Sequence, residues 1–85
     1  MKIISIVIPA YNEEKFISHL LDNILSIDTE SIGFAKEIIV VDDGSSDQTQ
    51  NLAMNAALNY SNISVIHQEN LGKGKAVQKG IKKAK

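Results

Sequence analysis

The sequence predicts an α/β fold, a parallel three-stranded sheet built as one β-α-β-α-β-α unit. Three observations predict it. Short runs rich in β-branched residues alternate with longer segments whose apolar residues recur at helical spacing. Each helical segment is long enough, at about three turns, to carry the chain back across a sheet, which selects parallel strands and right-handed crossovers. Polar, turn-forming residues close the strand runs: Pro9, then Asp42-Asp43-Gly44-Ser45-Ser46-Asp47, then Glu69 to Lys73.

The first strand is expected over Ile3 to Ile8, almost wholly apolar with only Ser5 interrupting, as suits a parallel strand covered on both faces. Pro9 is expected to end it, because it removes a ladder donor. Asn12 then reads as a helix N-cap, with Glu13 and Glu14 at the positive end of the helix dipole. Phe16, Ile17, Leu20, Leu21, Ile24 and Leu25 form one apolar helix face. Asp28 to Gly33 is a polar connector. Glu37 to Val41 makes the second strand, and the acidic pair Asp42-Asp43 opens the loop after it. Ser45 with Gln48 fits a capping box, with Ser46 as a competing cap. The second helix turns Leu52, Ala53, Ala56, Ala57 and Tyr60 to one face, and Met54 and Tyr60 read as packing residues. Ile63 to Gln68 is the third strand. The third helix should face Ala76, Val77, Gly80, Ile81 and Ala84 inward.

Bulk properties exclude several classes. At 85 residues there is room for one domain or part of one, and a hydrophobic fraction of 44% argues against disorder. With no cysteine, neither a disulfide framework nor a cysteine-based zinc site is possible. No apolar run approaches the roughly 18 residues of a membrane helix. The apolar N-terminus lacks a small-residue cleavage site, so it reads as a strand rather than a signal peptide, and the expected setting is cytoplasmic. Charge is unevenly spread. Ten acids and three lysines lie at or before Asn70, and six lysines with no acid follow it. The lysines from Lys73 to Lys85 read as a solvated helix face, Lys79, Lys82, Lys83 and Lys85 above all. No arginine or aromatic group accompanies them, so no nucleic-acid partner is expected.

In an open parallel sheet the strand-to-helix loops emerge at the carboxyl edge, where ligands bind. Three segments should therefore converge: Pro9 to Glu13, Asp42 to Ser45, and Glu69 to Lys75. Tyr11 offers a flat face for a base, and Glu13 an acceptor for base or ribose hydroxyls. Asp43 can accept from an imino N–H. Gly72 and Gly74 permit close backbone approach, and Lys73 and Lys75 supply charge for a diphosphate. The third loop is neither the NTPase phosphate loop nor the dinucleotide fingerprint, since Ala76 follows Lys75 and Val77 occupies the third glycine position.

Ile6 to Glu14, Val40 to Thr49 and Asn70 to Val77 together resemble glycosyltransferase family 2, and most resemble its dolichyl- or polyprenyl-phosphate glycosyltransferases. The resemblance covers nearly the whole chain. It implies the Rossmann-like, nucleotide-binding half of a GT-A fold and transfer of a hexose from a UDP- or GDP-sugar to an acceptor, such as a polyprenyl phosphate. By position it implies that Pro9, Tyr11 and Glu13 line base and ribose, that Asp43 contacts the base, and that Lys73 and Gly74 border the nucleotide. Asp42 is the remaining candidate, for contact or for ordering its loop. The family uses a metal ion, Mg or Mn, held by an Asp-x-Asp motif. No Asp-x-Asp occurs here, and Asp28-Thr29-Glu30 follows a helix at the wrong edge of the sheet. The metal motif, the catalytic base and any membrane-associating helices are expected beyond Lys85. Residues 1–85 are thus expected to be an incomplete, donor-binding portion without activity of their own.

Two other readings compete. One is a non-catalytic nucleotide-binding module. The other is a signalling receiver, suggested by Val40-Val41-Asp42-Asp43. Receivers, however, carry that pair after the first strand and an Asp after the third, whereas here the pair follows the second strand and the third ends His67-Gln68-Glu69. His67 reads as a structural histidine, and His19, between the apolar positions of the first helix, as a surface or boundary residue. The first strand should also leave an apolar edge unpaired, through which copies associate; scattering from a stable monomer at high concentration would count against that.

Overall fold

A computed structural model describes residues 1–84; Lys85, expected on the solvated lysine face, lies outside the described residues. The order is β1 (Lys2–Ala10), α1 (Ile17–Ser26), a 3₁₀ turn (Glu30–Ile32), β2 (Phe34–Asp43), α2 (Thr49–Asn59), β3 (Ile63–Gln68) and α3 (Lys73–Lys83). All three strands are parallel, in the order β1-β2-β3, so β2 is central.

The sheet separates two apolar layers. Ile8, Ala10, Ile38, Val40 and Ile63 meet Ile17 and Leu21 of α1 and Ala53 of α2 on one face. Val7, Ile39, Val41 and Ile66 meet Ala76 of α3 on the other. Alternate residues of each strand therefore serve alternate layers. The second layer is thin because α3 comes very close to β1. A Cβ built on Gly80 would lie 2.1 Å from Val7 Cγ1.

Pro9 does not end β1, which continues through Ala10 with Pro9 opposite Val41. Lys2 N–H donates to Gly33 O across the β1–β2 pair (3.1 Å). Amides alternate in direction along a strand, so even-numbered residues of β1 face β2 and odd-numbered ones face the open side. The N–H that Pro9 lacks falls on that open side, where no ladder bond is lost. β2 likewise runs past its expected end, because pairing on both sides holds Asp42 opposite Ala10 and His67, and Asp43 opposite Gln68.

The apolar stripes are wider than the faces that are covered. Ile17 and Leu21 are buried, but Phe16 and Leu20 on the same stripe are exposed, as are Met54, Tyr60 and Ile81. One layer of sheet below each helix has room for only two or three rows of side chains. His19 is exposed, as expected.

α1 ends at Ile27 with neither a glycine nor a basic residue in its last turn. Lys36 of β2 supplies the missing donor. Its Nζ donates to the carbonyls of Ile24 (2.7 Å), Leu25 (3.2 Å) and Ile27. Lys36→Met keeps the stem but strands these helix-terminal carbonyls. It is expected to lower unfolding free energy by about 2 kcal/mol, read as a lower urea midpoint at unchanged slope. An unshifted midpoint would show that water replaces the ammonium without loss.

Candidate functional site

Pro9, Ala10, Tyr11, Glu13, Asp43 and Lys73 line one cleft of about 310 Å³ above the carboxyl end of β1. Five of the seven residues singled out in the sequence thus share one surface. Tyr11 and Lys73 are exposed on it, while Asp43 is buried at its floor. Gly74 stands in the first turn of α3 and is exposed, but does not line the cleft. Asp42 lies elsewhere.

The acidic pair divides between the two faces of the sheet, because neighbouring strand residues point in opposite directions. Asp43 turns toward α3. Its Oδ1 accepts from Gln68 Nε2 and from Leu71 N–H, both at 2.7 Å, and its Oδ2 accepts from Gly72 N–H at 3.0 Å. Gln68's amide, followed by the two backbone amides, holds the carboxyl of Asp43 below its ordinary 3.8 against the opposing effect of burial. The carboxylate fixes the chain entering α3, and so fixes Lys73. Gly72 takes a φ of +96°, which suits glycine.

Asp42 turns toward α2 and is fully buried. Its Oδ2 accepts from Ser45 N–H (3.3 Å) and lies 3.1 Å from His67 Nδ1. It orders the loop after β2 and does not reach the cleft.

The first two loops are tied to each other by hydrogen bonds between residues far apart in sequence. Asn12 N–H donates to Ser45 Oγ (2.9 Å) and Ser46 N–H to Asn12 Oδ1 (2.9 Å). Glu13 N–H donates to Thr49 Oγ1 (2.7 Å), and Glu14 N–H to Asp47 Oδ2 (3.2 Å). Gln48 N–H returns a bond to Glu14 Oε2 (3.3 Å). Asn12 is therefore not a helix cap. It sits at φ +52°, a conformation that asparagine tolerates, and regular helix begins only at Ile17. Ser45 and Ser46 are not caps of α2 either. The cap position is Gln48, without a side-chain bond, and Asp47 just before it accepts from Thr49 N–H (2.9 Å). The capping-box spacing gave the wrong residue because the serine hydroxyl is engaged by the other loop.

A third tie brings the remaining loop in. Gly44 has a φ of +72°, and a Cβ there would lie 2.9 Å from the backbone nitrogen of Asn70. Three loops thus form one rigid rim. Asp47, Thr49, Gln68 and Asn70 are supporting residues that sequence reasoning passed over, and Asn12 is a further one that it read as a cap. The conformational tolerance of Asn12 was the one available hint.

Among the described residues no three acidic or histidine side chains come together as a metal site. Asp42 and Asp43 diverge to opposite faces of the sheet, and both oxygens of Asp43 and Oδ2 of Asp42 are already engaged, so the pair does not fit a divalent ion. Nor is any helix among the described residues long and apolar enough to cross a membrane.

Comparison with known proteins matches this architecture to a family. The chain is 43% identical over 82 residues to dolichyl-phosphate beta-glucosyltransferase ALG5A of Trichomonas vaginalis, covering 91% of this chain and 25% of that protein. It is 41% identical over 81 residues to poly-beta-1,6-N-acetyl-D-glucosamine synthase of Staphylococcus aureus strain COL, covering 95% of this chain and 19% of that one. The chain therefore spans at most about a quarter of the curated relatives cited here. Among solved structures, mannosyltransferase PcManGT from Pyrobaculum calidifontis, in complex with GDP-Man and Mn2+, superposes with a TM-score of 0.80 at 25% identity. That match covers 99% of this chain and 24% of the mannosyltransferase, a GT-A enzyme, which identifies the three-strand unit as part of a GT-A fold. The family model for glycosyl transferase family 2 matches residues 5–85, so the chain belongs to that family.

Proposed function

We propose that residues 1–85 are the donor-binding portion of a glycosyltransferase that moves a hexose from a UDP- or GDP-sugar to an acceptor such as a polyprenyl phosphate. One observation carries the reading: a tyrosine face, a carboxylate and an ammonium share a single cleft at the carboxyl edge of a parallel sheet. The relatives support the donor class, since the mannosyltransferase is complexed with GDP-Man and a related enzyme is a dolichyl-phosphate glucosyltransferase.

In this reading the base stacks on Tyr11 and the ribose hydroxyls donate to Glu13. Lys73, held at the start of α3, neutralises the diphosphate. Asp43 keeps that lysine in place and presents an acceptor at the cleft floor. The loops of the rim are bonded to one another within the chain, so little ordering cost is left for binding. A divalent ion, as in the mannosyltransferase complex, would help the diphosphate leave; among the described residues no three acidic or histidine side chains gather to hold it. The open side of β1 further supports association of copies along that edge.

Isothermal calorimetry with UDP and GDP tests the reading. Binding is expected for one of them, weakened about tenfold by Tyr11→Ala, the order of one lost stacking contact. Lys73→Gln should weaken diphosphates but leave the nucleoside unaffected. A folded chain that binds neither nucleotide would remove the proposal.

A further inference from the structure

His67, next to last in β3, lies directly opposite Asp42 and outside the cleft. Its side chain is 47% exposed, while Asp42 is fully buried. The contact of 3.1 Å joins His67 Nδ1 to Asp42 Oδ2. A carboxylate oxygen only accepts, so Nδ1 must carry the proton. The other carboxylate oxygen, Oδ1, is buried without a partner. Among the described residues, two donors therefore orient a fully buried carboxylate. One is His67, and the other is Ser45 N–H at a long 3.3 Å.

Ser45 is also the residue whose hydroxyl accepts from Asn12 N–H at 2.9 Å. Asn12 is held at positive φ next to Tyr11, which forms a wall of the cleft. A continuous set of bonds thus runs from the outer strand to that wall: His67, Asp42, Ser45, Asn12, Tyr11. The ring borders a groove lined by Gln50, Met54, Ala57, Leu58 and Val65, where no charged group competes for it.

We propose that His67 is a positioning residue for the nucleotide cleft, orienting Asp42 so that Ser45 and Asn12 hold Tyr11 in place. The nucleotide part of this inference rests on the function proposed above; the relay itself does not. Without the imidazole donor, the buried carboxylate keeps one long bond, and relief comes from turning toward water and releasing Ser45.

The variants follow from covalent geometry. Asparagine places its amide nitrogen where the imidazole places Nδ1, two bonds from Cβ. Glutamine places it one bond farther out, and leucine offers no donor. Amide exchange in the absence of nucleotide should therefore accelerate at Ser45 and Asn12 by about tenfold or more in His67→Leu and His67→Gln. It should stay near wild type in His67→Asn. Nucleotide affinity should follow the same order, falling about fivefold in the first two. Nitrogen-15 shifts of neutral His67 should report the Nδ1–H tautomer, whereas a free imidazole prefers the other.

An Nε2–H tautomer would overturn the relay. So would equal exchange in the leucine and asparagine variants, once thermal melts show both to be folded. Wild-type chain that binds no nucleotide but keeps the exchange pattern would cancel the cleft's proposed ligand and with it the affinity arm, leaving the relay established.

Discussion

Gly80→Ala is expected to destabilise the chain by about 1–3 kcal/mol, the usual cost of an extra methyl group in a packed contact. Helix propensity alone predicts the reverse, since alanine is favoured over glycine by about 1 kcal/mol in a helix interior. The geometry decides between them. Three atoms of Val7 lie within 3.1 Å of the added carbon, the nearest at 2.1 Å, and a β-branched side chain has few rotamers into which it can retreat. Either α3 lifts from β1 or β1 bends. Both separate Ala76 from Ile39 and Val41 in the thin second layer. A second substitution isolates the contact. Val7→Ala alone should be destabilising, yet in the Gly80→Ala background it should recover stability, giving a coupling energy of about 0.5–3 kcal/mol in a denaturant-melt cycle. Strict additivity would mean that the two residues do not meet.

Asp43→Asn is expected to abolish nucleotide binding at concentrations that saturate wild type, although it removes only a charge and one acceptor. The carboxylate serves three donors with two oxygens. The amide would turn its own NH₂ toward at least one of those donors and leave it buried without an acceptor. The segment before α3 should loosen, and exchange at Leu71 and Gly72 should accelerate while the helices persist. Acid sensitivity follows from the same bonds. The folded-state value of Asp43 is below the ordinary 3.8, with Gln68 as the largest cause. Its contribution to stability is therefore complete above the ordinary value and disappears as pH falls through the lowered one. Wild type should lose stability from about pH 4 downward, and Asp43→Asn should show a shallower slope there. Parallel acid limbs would contradict the assignment. Asp47 adds to the wild-type slope in the same direction, because although burial raises its value most, its bonds from Thr49 and Glu14 lower it further in sum.

The type and order of every strand and α-helix were legible in the sequence, because β-branched runs and helical periodicity are local signals. The limits of β1 and β2 were not. Whether Pro9 breaks a strand depends on which side its missing donor faces, and whether Asp43 is strand or loop depends on having neighbours on both sides. The convergence of Tyr11, Glu13, Asp43 and Lys73 followed from topology. The different tasks of Asp42 and Asp43 did not, since they depend on the faces that pleating gives two adjacent residues. Asn12, Ser45 and Ser46 were misassigned for a related reason. Each has the composition of a helix cap, but partners about 33 residues away compete for the same groups. His67 was read as structural because its partner is set by strand register, which a single sequence does not print.

The parallel arrangement also bears on how the chain reaches this state. Side chains bonded across neighbouring strands are 32 residues apart for Ser5 and Glu37, and 25 for Asp42 and His67. No rung can therefore form from nearby residues, and the entropy of closing a long loop precedes the first rewarding contact. Assembly speed should depend on how readily β2 finds both partners, and little on the strength of any one helix.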